Sequence, residues 1–337
     1  MRAVGLLKYL PITHPESLID LELPVPTPGP RDLRVAVRAV SVNPVDVKLR
    51  APKPQVESAP RILGFDAAGV VDAVGRDVRS YKPGDEVFYA GSIARSGTNA
   101  EYHLVDEHIV GRKPKKLTFA QAAALPLTSL TAWEMLFDRF EIARGMATSD
   151  ALLVIGAAGG VGSIMTQLAR RLTKLRVIGS ASRPETSEWV RAMGAHDVVD
   201  HTLPLAPQVA MLAPSGVRYV ASLTASERHF TNNAELIAPE GKLGMIDDPG
   251  ELLDIRLLKR KSVSLHWEFM FTRAIFETAE PFAQQRILNE VSELVETGVL
   301  RTTVSDDYGA ITAENLKRAH AMLESGKTIG KIVLQGF

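Results

Sequence analysis

The stretch VIGAAGGVGSIMTQLARR, residues 154 to 171, constrains what this chain can fold into more tightly than any other. An apolar run enters a cluster of glycines and leaves with helical spacing, which predicts a strand, a tight turn and a helix. Ala157, Gly159 and Gly162 fall on the three fixed positions of the G-x-G-x-x-G fingerprint, with alanine at the first. Glycine lets a phosphate approach the backbone without a Cβ in the way, and unpaired N–H groups at a helix start attract anions. Ala158, Gly159, Gly160, Val161 and Gly162 are therefore the expected seat of a dinucleotide pyrophosphate, against the plainer reading of a Gly-rich turn with no ligand.

The flanks set the context. From Met1 to about Pro114, short β-like runs (LRVAVRAVSVN, AAGVVDAVG, DEVFYAG, AEYHLV) are punctuated by TPGP at 27 to 30 and KPGD at 82 to 85, predicting a mainly β domain. The Ala- and Leu-rich TFAQAAALPLTSLTAWEMLF predicts two short helices and a junction near residues 120 to 130. After the glycine loop, strand-like RVIGSAS, DVVDH, VRYVASL (closing at Leu223), KLGMID (containing Met245 and Ile246) and SVSLHW (containing His266) alternate with helical segments such as PETSEWVRAMGA. That alternation predicts βαβ units around a parallel sheet covered on both faces. An amphipathic helix is expected from about 276 to 297, a last helix from Ala313 to Ser325, and a closing strand in GKTIGKIVL.

At the tip of the second strand an NAD site places an Asp or Glu on the ribose hydroxyls, yet here the chain reads Ser180, Ala181, Ser182, Arg183. Arg183 can instead grip a 2′-phosphate, with Ser182 beside it, so NADPH is preferred over NADH; a solvated surface charge is the alternative for Arg183.

Composition narrows the partners. A chain of 337 residues is long enough for two domains, and its 39 basic and 39 acidic residues cancel, with no extended basic run to hold nucleic acid. No apolar segment reaches spanning length, so a soluble, cytoplasmic protein is expected. There is no cysteine, which removes disulfides, thiolate nucleophiles and Cys-ligated zinc. His103 and His108 stand beside Asp106 and Glu107, and surface residence is the expectation for this pair.

Taken together, VSVNPVDVKLR, ILGFDAAGVVDAVG, YKPGDEVF, AALPLTSLTAWEML, GAAGGVG, RAMGAHDVVDH and ESGKTIGKIVL resemble, in order and over the whole chain, the medium-chain dehydrogenase/reductase superfamily and its zinc-free quinone oxidoreductase branch, often labelled zinc-type alcohol dehydrogenase-like. The resemblance implies an α/β chain: a GroES-like β domain over residues 1–124, completed by 271–337, and a doubly wound, parallel-sheet Rossmann domain over 125–270 that binds NADPH. It also implies a homodimer. Zinc-dependent members carry a Cys where this chain has Asn43, a His-Glu pair where it has Phe65 and Asp66, and a further Cys or Asp for which this chain has no cysteine, so no metal is expected.

By the same resemblance Asn43 lies beside nicotinamide and substrate, Thr131 near the nicotinamide ribose, and His201 near the adenosine phosphate. GMID and LHWEFMF match strand ends flanking the nicotinamide, Gly330 and Lys331 follow the family pattern, and Leu223 and Lys331 are expected among the cofactor-binding residues. Two readings stay open for Lys48, a donor to the acceptor's oxygen or a solvated lysine, and for His266, Trp267, Phe269 and Met270, a pocket wall or plain core. Without a Lewis acid an alcohol is hard to oxidise, so a quinone or an α,β-unsaturated carbonyl is the expected small-molecule acceptor. Alternatives are an alcohol dehydrogenase-like enzyme with an altered zinc site, or an NADPH-binding sensor or structural protein with incidental activity.

Overall fold

A computed structural model describes residues 1–145 and 148–337, which divide into two compact units, 1–130 with 271–337, and 131–270. Among the described residues no helix is long and apolar enough to cross a membrane.

The first unit is built around the strand Asp32–Ser41, whose alternating burial turns Leu33, Val35 and Val37 into the core. It pairs antiparallel with Ala67–Val74, Tyr102–Asp106 and the closing strand Lys331–Gln335, which ties the end of the chain to its beginning. A separate three-stranded sheet places Arg2–Tyr9 between Ile19–Glu22 and Lys53–Ile62. The helix Ala313–Glu324 buries Ala313, Leu316, Ala319 and His320.

The helix expected from about 276 to 297 begins later, and a separate short helix precedes it. Thr272–Phe276 ends where Glu277 turns left-handed (φ 43°), and helix resumes only over Ala283–Glu296. Pro281 is the physical reason, since the residue before a proline is steered away from the helical region.

His103 is also corrected. Strand periodicity puts it on the inner face with Val105; it is buried, stacked on Tyr89 with ring centroids 5.4 Å apart, and its Nε2 lies 2.9 Å from the Ser96 carbonyl oxygen. Burial pushes its pKa down to about 4, making it a neutral core residue. Glu107 is likewise buried, accepting the backbone N–H groups of Arg79 and Ser80, while His108 is half-buried against Asp106.

The second unit is a six-stranded parallel sheet. Its strands stand in the order Asp197–Val199, Arg176–Ser180, Ala151–Ile155, Val217–Ser222, Ile237–Met245, Ser264–Trp267, the 3-2-1-4-5-6 order of a doubly wound dinucleotide fold. The order reverses between Ala151–Ile155 and Val217–Ser222, so a ligand crevice is expected beyond their carboxyl ends, where the glycine loop begins.

Candidate functional site

In the second unit the loop leaves Ile155 through Gly156, which adopts φ +80°, a conformation only glycine takes freely. The Gly156 N–H donates to Ser180 Oγ at 3.1 Å, so the second strand holds the turn of the first. Gly162 packs against the incoming backbone: a Cβ there would lie 2.4 Å from the Gly156 carbonyl oxygen and 2.6 Å from Ala157 Cα. At Gly159 an added Cβ would meet nothing closer than the Gly156 oxygen at 3.5 Å, leaving open space above the loop. Gly159 caps the helix Gly160–Leu172 without a side chain, which leaves N–H groups of the first turn available to an anion. Ala158, Gly160 and Val161 are half-buried along the same turn.

Arg183 is the N-cap of the helix Pro184–Ala192, and its Nε lies 3.3 Å from Glu185 Oε1. A carboxylate therefore stands beside the candidate phosphate-binding arginine, set on the following helix rather than the strand tip. Ser182 is exposed next to it. His201, just past Asp197–Val199, has a buried Nδ1 with no hydrogen-bond partner, and its ring centroid is 6.3 Å from that of His229. Leu223 follows Val217–Ser222 and donates its N–H to the Ile155 carbonyl, so it closes over the loop's entrance. Met245 ends its strand and Ile246 is the first residue beyond it.

His266 pairs across the sheet with Gly244 on the edge strand, edge-on to Phe140, with Nε2 buried and unpartnered. The run after it divides: Trp267 and Phe269 are exposed, whereas Glu268 and Met270 are buried. Thr131 is buried on the helix Pro126–Trp133.

In the first unit a different cluster forms around Asn43, the N-cap of the helix Pro44–Arg50. Asp46 Oδ2 accepts the Asn43 backbone N–H at 2.7 Å, half of a capping box, and Asp46 Oδ1 accepts Gly64 N–H at 3.0 Å. The Asn43 carboxamide is turned inward: Nδ2 donates to Asp66 Oδ2 at 2.8 Å, and Oδ1 accepts from Lys331 Nζ. Lys331 also donates to Asp66 Oδ2 at 3.0 Å and to the Val42 carbonyl at 2.9 Å. Ser41 Oγ and the Leu127 N–H complete the donors on Asp66, at 2.9 and 2.8 Å. All five side chains, Ser41, Asn43, Asp46, Asp66 and Lys331, are 3% exposed or less.

Burial dominates the electrostatics here. Desolvation pushes Asp46 up to about 7 against the pull of the Asn43 N–H and the Lys331 charge. Asp66 is raised by the same burial and opposed first by Lys331; Lys331 is lowered by burial and opposed first by Asp66. Arg50, at the far end of the helix, is buried and donates to the Leu10 carbonyl, His320 Nδ1 and Glu324, anchoring the helix that Asn43 begins. Lys48, on the same helix, is exposed.

Asn43 and Lys331, far apart in sequence, are thus brought together, and the loop residues 158 to 162 share one turn. Sequence reasoning missed Asp46 as part of the cluster, although NPVD has the spacing of a helix cap, and missed Ser180 as the brace of the loop. Lys331 directs all three of its ammonium hydrogens to acceptors within the first unit. Among the described residues, no three His, Cys, Asp or Glu groups come close enough together to hold a metal ion.

Comparison with known proteins agrees with this architecture. The alcohol dehydrogenase GroES-like domain model matches residues 29–115, and the zinc-binding dehydrogenase model matches residues 193–334. A zinc-type alcohol dehydrogenase-like protein of Staphylococcus aureus is 40% identical over 99% of both chains. A quinone oxidoreductase of Pseudomonas aeruginosa is 30% identical over 95% of this chain and 96% of its own. A solved structure from Rhizobium etli, assigned as a zinc-dependent alcohol dehydrogenase, superposes with a TM-score of 0.96 at 54% identity, covering 100% of this chain and 98% of that one.

Proposed function

This chain belongs to the medium-chain dehydrogenase/reductase superfamily of oxidoreductases, and from that premise we propose that it is an NADPH-dependent reductase that passes hydride to a quinone or an α,β-unsaturated carbonyl without a catalytic metal. The observation that carries this reading is the state of Asp66. Zinc of this family wants thiolate or imidazole donors, but the chain has no cysteine and Phe65 offers no ligand. Asp66 already accepts from four donors, one of them the Lys331 ammonium. These residues do not fit a zinc ion, and no step is routed through one.

The glycine loop does fit a dinucleotide, because Gly159 leaves space above the turn and the helix start is uncapped. Residues 158 to 162 would hold the pyrophosphate, and Arg183 with His201 the 2′-phosphate of the adenosine ribose. Thr131, Leu223, Met245, Ile246 and His266 are proposed to line the rest of the nucleotide's path. When bound, the nicotinamide supplies a hydride, and with one solvent proton this completes the two-electron reduction of a quinone to its hydroquinone. Asn43 donates toward the oxygen on which negative charge develops, which is where a fixed dipole in a dry site contributes most. The relative named as a quinone oxidoreductase supports the acceptor class.

Oxidation of NADPH and NADH, followed side by side with a small quinone, tests the assignment. NADPH turnover with a KM raised in Arg183→Ala supports it; no turnover with either nucleotide would overturn it.

A further inference from the structure

The cluster around Lys331 is more completely bonded than a buried ion pair requires. An ammonium has three hydrogens, and here each has an acceptor: the Val42 carbonyl, Asn43 Oδ1 and Asp66 Oδ2. The Asn43 carboxamide is thereby fixed in one of its two orientations. Flipping it would set its N–H₂ against an ammonium and its oxygen against a carboxylate, both repulsive. In the orientation held, one of the two Nδ2 hydrogens goes to Asp66. The other has no acceptor among the described residues, although the side chain is 1% exposed. A polar hydrogen buried in this way waits for an acceptor.

We propose that Lys331 is a positioning residue: its buried ammonium locks the Asn43 carboxamide with Oδ1 inward and one N–H spare, and that N–H is the donor to the acceptor's developing oxyanion. Lys331 does not touch the substrate. Its charge polarises the amide through Oδ1. The orientation of Asn43 follows from the cluster alone, whereas its catalytic use rests on the quinone reductase reading above.

Lys331→Met alone would strand the Asp66 charge in the core, so the informative variant is the neutral pair Lys331→Met/Asp66→Asn, examined in the full chain. Three readouts apply: thermal unfolding, the side-chain ¹⁵NH₂ signals of Asn43 (assigned by their loss in Asn43→Ala), and steady-state kinetics with NADPH and a small quinone. In the parent, the two Asn43 carboxamide hydrogens are expected to resonate well apart, the one donated to Asp66 shifted downfield of the unbonded one. In the folded double variant that asymmetry is lost, kcat falls about tenfold or more, and KM for NADPH is unchanged. Adding Asn43→Ala to the double variant then costs little further, since both changes remove the same donor.

A folded double variant with parental Asn43 signals or parental kcat would overturn the proposal. So would a kcat loss with the amide unaltered, because Lys331 would then act by another route. If the double variant does not fold, the parent decides: two carboxamide hydrogens both at hydrogen-bonded shifts, or neither, would overturn it. A parent that reduces no quinone refutes the proposed function, and the shift asymmetry in the parent still tests the positioning on its own.

Discussion

The ammonium of Lys331 lies 3.0 Å from Oδ2 of Asp66, and neither side chain reaches solvent. Two opposite charges taken out of water this far stabilise the fold only as a pair, because each alone carries an uncompensated desolvation penalty. Asp66→Ala is therefore expected to destabilise the protein by about 3–5 kcal/mol, as a buried ion pair broken on one side does. Urea denaturation measures it, and a loss within the range of an ordinary surface substitution would remove the pair from the account of stability.

Two glycines of the same loop should behave differently. At Gly162 a methyl group meets backbone at 2.4 Å, which cannot yield without moving the helix, so Gly162→Ala lowers the melting temperature. At Gly159 the backbone is extended (φ −74°) and the nearest atom to a new Cβ is 3.5 Å away, so Gly159→Ala leaves the melting temperature close to the parent's. The methyl there fills space proposed for the pyrophosphate, and NADPH affinity falls. Equal melting temperatures in the two variants would contradict this division.

Glu185 competes for Arg183. Their contact, at 3.3 Å between partly exposed groups, is of the surface kind. Glu185→Gln removes one ionic partner of the guanidinium and a negative charge next to the proposed phosphate, so KM for NADPH should drop about twofold to fivefold, the equivalent of up to about 1 kcal/mol. The KM for NADH should not change. If both fall together, Arg183 does not read the 2′-phosphate.

Glu268 sets a pH limit. Burial first, and the nearby Glu134 carboxylate second, push its pKa up to about 9, although Arg139 Nε stands 2.9 Å away. The folded state thus holds a proton that the unfolded chain, titrating near the ordinary glutamate value, has already released. By linkage, this stabilising contribution is complete below the unfolded pKa and is lost as pH rises through the folded one. Thermal stability of the parent should therefore fall toward pH 9 relative to Glu268→Gln, whose neutral amide does not titrate. Parallel curves for the two proteins would show that Glu268 does not titrate in the fold.

Much of the second unit could be read directly. The apolar run before Gly156, the glycines and the amphipathic segment after them each follow local rules of strand, turn and helix, and the alternation that followed implied the parallel sheet. The first unit was legible as β structure but not in its strand Lys53–Ile62, whose mostly exposed residues leave no apolar pattern. His103 was misplaced because its neighbours Asp106 and Glu107 read as a solvated run, whereas Asp106 lies on the opposite face of the strand and Glu107 is itself buried. The cluster at Asn43 was the least visible. Lys331 is 288 positions from Asn43, and their contact exists only because the closing strand lies antiparallel to Asp32–Ser41.

The claim on which the rest depends is the proposed hydride transfer from NADPH to a quinone without a catalytic metal. The most direct measurement is the rate of NADPH oxidation by a small quinone on protein stripped of metal with a chelator, and again after zinc is added back. The account predicts the same rate in both. An enzyme inactive when stripped and restored by zinc would contradict it.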